Sequence, residues 1–173
     1  MQRSLEWFIH KKLLLKDKTI NNLAENYMKK SRDNIITMEL LNKVADFRNI
    51  LDLPDDYDSK EWVVISGYYS MYMAALGILA RLGYKSRNHT ATILTLEALL
   101  VNKKLLEKEY LEILGRIKIK KEEIEELNKV RDKREIAQYS ITKETTKNIA
   151  EEIRNDAHKF VDRMEELFDL FKS

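Results

Sequence analysis

Between Trp62 and Ala80 the chain runs Trp-Val-Val-Ile-Ser-Gly-Tyr-Tyr-Ser-Met-Tyr-Met-Ala-Ala-Leu-Gly-Ile-Leu-Ala without one charged residue. From Ser59 to Leu82 this segment reads as a helix that is apolar almost all round, and such a helix is stable in water only when other helices enclose it. The length also suits a membrane span, but Ser66, Gly67, Ser70 and three tyrosines fall in mid-segment, where a span would place Leu or Val. We therefore expect a buried central helix and no membrane partner. Its phenols, Tyr68, Tyr69 and Tyr72, need polar partners wherever they are buried. Tyr68 and Tyr72 share a face at a spacing of four.

The remaining chain supplies the enclosing helices. A short amphipathic helix is predicted over Leu5 to Leu15, with Trp7 and Phe8 as anchors. A long rod is predicted from Asn21 to Leu51, its apolar positions at Leu23, Tyr27, Met38, Leu41, Ala45 and Arg48, with Ile35 and Val44 beside them. The single proline, Pro54, stops that rod, and Asp58 or Ser59 caps the central helix. The acidic cluster Asp55, Asp56 and Asp58 is read as turn and cap, because the ligand spacing and glycine of a calcium loop are missing.

Gly83 closes the central helix, and Ser86 or Asn88 caps the next one, through Ile93, Leu96, Leu99 and Leu100. After a polar connection from Lys103 to Lys108, a helix from Glu109 to about Gln138 carries the stripe Leu111, Leu114, Ile117, Ile124 and Leu127, with Lys121 in the gap. The charge block Lys118 to Glu126 is read as a solvated face. A final helix spans Lys143 to Phe171, with Ile149, Ile153, Phe160, Met164, Leu167 and Phe171 facing inward.

With four Gly and one Pro in 173 residues and no strand signal, the fold class is all-α. The expected architecture is an antiparallel helical bundle of four to five main helices plus a short N-terminal helix. Residues 1–18 form the N-terminal amphipathic helix and 19–173 the bundle.

Charged residues make up 35% of the chain yet nearly cancel to a net +2, so any nucleic-acid site must be a local patch. The absence of cysteine excludes disulfides, thiolate metal sites and cysteine nucleophiles. Together with an opening stretch that lacks an uncharged export core, it points to a cytoplasmic protein. His10, His89 and His158 are too scattered to suggest a metal, and no phosphate loop or cofactor motif is present. Arg154 and His158 read as a solvated surface pair.

Extending the stripe Ile117, Ile124, Leu127 by three and four residues leads to Arg131, Arg134 and Gln138, so the inward seam turns cationic. A guanidinium facing a core or interface requires an acidic or polar partner, or a ligand phosphate. An internal salt bridge would satisfy it equally well. Tyr139 follows, and Arg87, Asn88 and His89 open a helix whose amides attract phosphate, although an ordinary cap explains them too.

The helix Ser66-Gly-Tyr-Tyr-Ser-Met-Tyr-Met-Ala-Ala75, the turn Gly83-Tyr-Lys-Ser-Arg-Asn-His89 and the segment Arg134-Glu-Ile-Ala-Gln-Tyr139 together resemble the HEPN domain, in its small stand-alone prokaryotic branch. The resemblance covers roughly residues 20 to 171. It implies a helical bundle, homodimerisation and a role in RNA or nucleotide transactions, and many members are ribonuclease toxins neutralised by a small nucleotidyltransferase partner.

Their cutting motif pairs an arginine with a histidine a few residues on; Arg134 aligns with the arginine, whereas Tyr139 stands in the histidine's place. A tyrosine with a pKa of about 10 is a poor general base, so the expectation is RNA or nucleotide binding, with cleavage in doubt. Arg134 and Tyr139 are the candidate catalytic pair. Arg131, Arg134, Tyr139, Tyr68, Tyr69, Tyr72, Arg87 and His89 are the candidate binding residues, with no metal and no cofactor. The alternative is a non-catalytic helical dimerisation or assembly domain, in which the arginine seam forms a symmetric contact.

Overall fold

The structure, a computed structural model, describes residues 5–131 and 139–172, with side chains described up to 125 and from 148 onward. Its main elements are α1 (Leu5–His10), β1 (Leu14–Lys16), α2 (Ala24–Lys43), α3 (Lys60–Arg81), β2 (Tyr84–Ser86), α4 (His89–Leu96), α5 (Lys108–Arg131) and α6 (Tyr139–Leu170). The protein is an all-α bundle with one very small ribbon.

The uncharged segment forms α3, and it lies at the centre as its composition requires. It packs mainly on α2 and α6, with α5, α4 and β2 completing the enclosure. Val63, Val64, Met71, Ala74, Ala75, Ile78 and Leu79 are fully buried along it. Gly67 and Gly77 let the neighbours approach: a Cβ at Gly67 would lie 2.7 Å from Ile153 Cγ2 of α6, and one at Gly77 2.6 Å from Met28 Sδ of α2. Gly83 then ends the helix at φ +78, a left-handed conformation that glycine adopts without steric cost.

The long rod expected over Asn21 to Leu51 is shorter and shifted. A 3-10 turn occupies Lys18–Leu23, and α2 ends at Lys43 before a second 3-10 turn at Val44–Phe47. Its buried face is Ala24, Met28, Ser31, Ile35 and Met38, whereas Leu23 is exposed. The core-facing stripe thus advances by threes and fours from Ala24, because the methionines must meet the glycine gaps of α3. Arg48, expected on the apolar stripe, instead clamps the following loop by donating to the carbonyls of Pro54 and Tyr57. The cap of α3 is as read: Asp58 Oδ1 accepts from the Lys60 amide at 3.0 Å, while the Ser59 hydroxyl donates to the Leu41 carbonyl.

The helix expected over Leu5 to Leu15 stops at His10, and Leu14–Lys16 pairs antiparallel with Tyr84–Ser86, Leu14 opposite Ser86. Lys12 turns the chain at φ 55 between them. Phe8, Leu14 and Ala91 form a small second core, so this segment packs on the start of α4. The last helix already includes Tyr139 to Thr142, ahead of the expected Lys143, and buries Ala150, Ile153, Ala157, Phe160, Val161, Met164, Leu167 and Phe168.

Arg154 and His158 are not a solvated pair. Arg154 Nε at 2.7 Å and His158 Nε2 at 2.9 Å both meet Glu39 Oε1 of α2. Burial alone would raise the Glu39 carboxyl, but the hydrogen bonds from His158 and Arg154 outweigh it and hold the group below its ordinary value.

Candidate functional site

The spacing of four that puts Tyr68 and Tyr72 on one face of α3 brings their rings parallel, 6.0 Å apart and 7° from coplanar. Tyr69 meets Tyr68 edge-on at 5.4 Å. Tyr68 is 1% exposed and the other two are half-buried. A buried phenol needs a partner, and α4 supplies it.

Local chemistry aims that partner. Asn88 caps α4, its side chain accepting from the Ala91 amide at 3.1 Å. The Ser86 hydroxyl donates to the Asn88 carbonyl and accepts from Thr92, which ties β2 to the first turn. His89 is thereby the first helical residue and turns inward onto α3. Its imidazole lies against the Tyr72 ring at 4.1 Å, and its Nδ1 is hydrogen-bonded to the Tyr68 hydroxyl.

A cation closes the cluster from α5. Lys121 lies between Ile117 and Ile124 on the core-facing stripe, its side chain only 13% exposed, with Nζ 5.6 Å from the Tyr68 ring and 5.5 Å from the Tyr69 ring. The π faces of the tyrosines attract it, and Glu125 one turn on pairs with it at 2.8 Å. Lys118 pairs likewise with Glu122 at 3.1 Å. The Lys118 to Glu126 block is therefore not wholly a solvated face. Its missed signal was an ammonium at an apolar register position, which demands aromatic or acidic company.

The electrostatics follow from this packing. Burial, then the neighbouring Tyr72 and Tyr69, push the Tyr68 phenol far up, so it keeps its proton. Burial also raises Tyr72, opposed by a hydrogen bond with Thr92. Burial, then the ammonium groups of Lys118 and Lys121, lower His89, which is accordingly neutral near physiological pH.

The structure thus brings Tyr68, Tyr69, Tyr72 and His89 into one constellation. Arg87 stays outside it: the side chain is exposed, and the backbone amide extends the ribbon by donating to the Leu13 carbonyl at 2.9 Å. Arg134 lies outside the described residues, and so do the side chains of Arg131, the last described residue of α5, and Tyr139, the first described residue of α6.

The half-buried rings Tyr69, Tyr72 and His89, bordered by ammonium groups, can stack a base or hold a phosphate, while Tyr68 lies buried behind them. The family model of the HEPN domain matches residues 56–167, from just ahead of α3 to near the end of α6. No curated protein and no solved structure matches the chain. The matched span is narrower than the 20 to 171 expected from motifs, yet it contains the ring cluster and the arginine-to-tyrosine segment. With more than half of its length matched, the chain belongs to the HEPN domain family, a family of helical modules related to nucleotides and RNA.

Proposed function

We propose that this protein binds RNA or a nucleotide at the cluster of Tyr68, Tyr69, Tyr72 and His89. The observation that carries the reading is the meeting of these four rings with Lys121, at the start of α4 where the Asn88 cap sets His89 against α3. Stacking on such rings contributes about 1–3 kcal/mol per base and tolerates any base. Arg131, Arg134 and Tyr139 join the site on sequence grounds as phosphate and 2′-hydroxyl partners. The protein serves as the toxin-like half of a pair with a minimal nucleotidyltransferase, and Tyr139 in place of a histidine disfavours cleavage at that motif.

Fluorescence anisotropy with short labelled RNAs, alongside thermal shifts with nucleoside mono- and triphosphates, tests the reading. The parent should bind, and Tyr69→Ala should weaken binding about tenfold, the loss of roughly 1.4 kcal/mol of stacking. Arg134→Ala should weaken it as well. Absence of binding by the parent to every probe refutes the reading.

One observation favours the alternative of an assembly domain. Leu40, Phe47, Ile50 and Leu51 are exposed side by side around an apolar groove at the end of α2, with Ile50 81% accessible. Such a patch suits a symmetric homodimer contact. Under that reading Ile50→Lys converts a dimer to monomer in analytical ultracentrifugation, and no nucleotide raises the melting temperature.

A further inference from the structure

The hydrogen bond between Tyr68 and His89 has a direction that chemistry decides. A phenol buried among other tyrosines keeps its proton, and a half-buried imidazole beside two ammonium groups stays neutral. The phenol therefore donates and Nδ1 accepts. A neutral imidazole that accepts at Nδ1 carries its single hydrogen on Nε2. Turning the ring over would place a carbon against the phenol and leave the hydroxyl of Tyr68, a residue only 1% exposed, without its partner. The Tyr72 ring at 4.1 Å holds the imidazole plane in place.

The groups facing this imidazole are Tyr68 and Tyr72 from α3 and Lys118, Lys121 and Glu122 from α5. The two ammonium groups outweigh Glu122 there, so the field at the ring attracts an anionic oxygen. Among the described residues Nε2 has no hydrogen-bond partner. We propose that Tyr68 is a positioning residue that fixes His89 as the Nε2–H tautomer, and that this N–H donates to a phosphate oxygen of a nucleotide or RNA backbone.

The phosphate half of the proposal rests on the binding function given above, whereas the tautomer half stands on the packing alone. The experiment separates them. Two-bond nitrogen–proton correlation NMR on the 15N-labelled full chain reads the His89 tautomer and its titration, and the same sample is titrated with uridine 5′-monophosphate and with inorganic phosphate.

The parent should show the Nε2–H pattern at about pH 7, with Nδ1 shifted as an acceptor. Tyr68→Phe should retain the fold by circular dichroism, move the Nδ1 resonance away from that position and raise the His89 titration midpoint, because the neutral form loses its donor. Both probes should perturb His89 Nε2 in the parent, and Tyr68→Phe should bind the nucleotide several-fold more weakly.

An Nδ1–H or imidazolium pattern in the parent overturns the positioning role, as does an unchanged Nδ1 shift and midpoint in Tyr68→Phe. The expected tautomer with no response to either probe upholds the positioning role and overturns phosphate recognition by His89, while the binding function itself is decided by the anisotropy and thermal-shift measurements. A response to nucleotide but not to inorganic phosphate shows that the rings as well as the donor recognise the ligand.

Discussion

Replacing Gly67 by alanine pits two effects of known size against each other at the point where three helices converge. In a helix interior Ala is favoured over Gly by about 1 kcal/mol. At Gly67, however, the new methyl would lie 2.7 Å from Ile153 Cγ2, 3.0 Å from Met38 Sδ and 3.8 Å from the Ala157 Cβ. Met38 can swing its thioether aside. Ile153 cannot, because its methyl is attached at a branched Cβ with one preferred rotamer in a helix, so α6 itself must move. Forcing a methyl into a packed core costs about 1–3 kcal/mol, which leaves Gly67→Ala between neutral and about 2 kcal/mol destabilised.

Gly115, within α5, provides the control. A Cβ there meets nothing within 4 Å, so Gly115→Ala should stabilise by about 0.5–1 kcal/mol. The difference between the two variants isolates the overpacking term. Urea denaturation should separate them by about 1–3 kcal/mol, and thermal melts by roughly 2–4 °C for each kcal/mol in a chain of this size. If both substitutions stabilise alike, α6 does not approach α3 at Gly67 and the packing argument is wrong.

Glu39→Gln should cost about 1 kcal/mol near neutral pH, since the carboxylate joins Arg154 and His158 of α6 to α2 in a partly exposed setting. The folded carboxyl is held below its unfolded value of 4.5, so its contribution is present above that value and lost as pH falls through the folded one. The gap between parent and variant should therefore close in acid urea melts, and a gap that persists there would contradict the assignment. Asn88→Ala removes the cap of α4 and should cost about 1 kcal/mol in the same measurement. Because that cap also orients His89, nucleotide binding should weaken with it; unchanged affinity would show that the imidazole is aimed without it.

Much of the ring cluster was legible in the chain because a spacing of four on a helix is a geometric statement. Tyr68 and Tyr72 had to share a face, and Ser86 or Asn88 had to cap the helix that follows; the structure selects Asn88. That the two helices meet ring to ring was not legible, since no local pattern records which helix packs on which. Lys121 shows the boundary clearly. Its place on an apolar stripe was visible, but its partners are rings some fifty residues earlier in the chain, at the order of separation that only a folded topology resolves. Glu39 met by Arg154 and His158 is the same case. The ribbon was missed for a different reason: strands of three residues are too short to display alternation.

Composition and periodicity by themselves determined that this chain is a bundle around one uncharged helix. Few glycines, one proline and a run apolar on all sides leave helices no stable alternative to burying that run. Tertiary packing alone decided where α2 begins its buried stripe, which phenol is satisfied by an imidazole, and which ammonium group lies over the rings. Those outcomes depend on contacts between distant segments, whose energies exist only once the helices have docked.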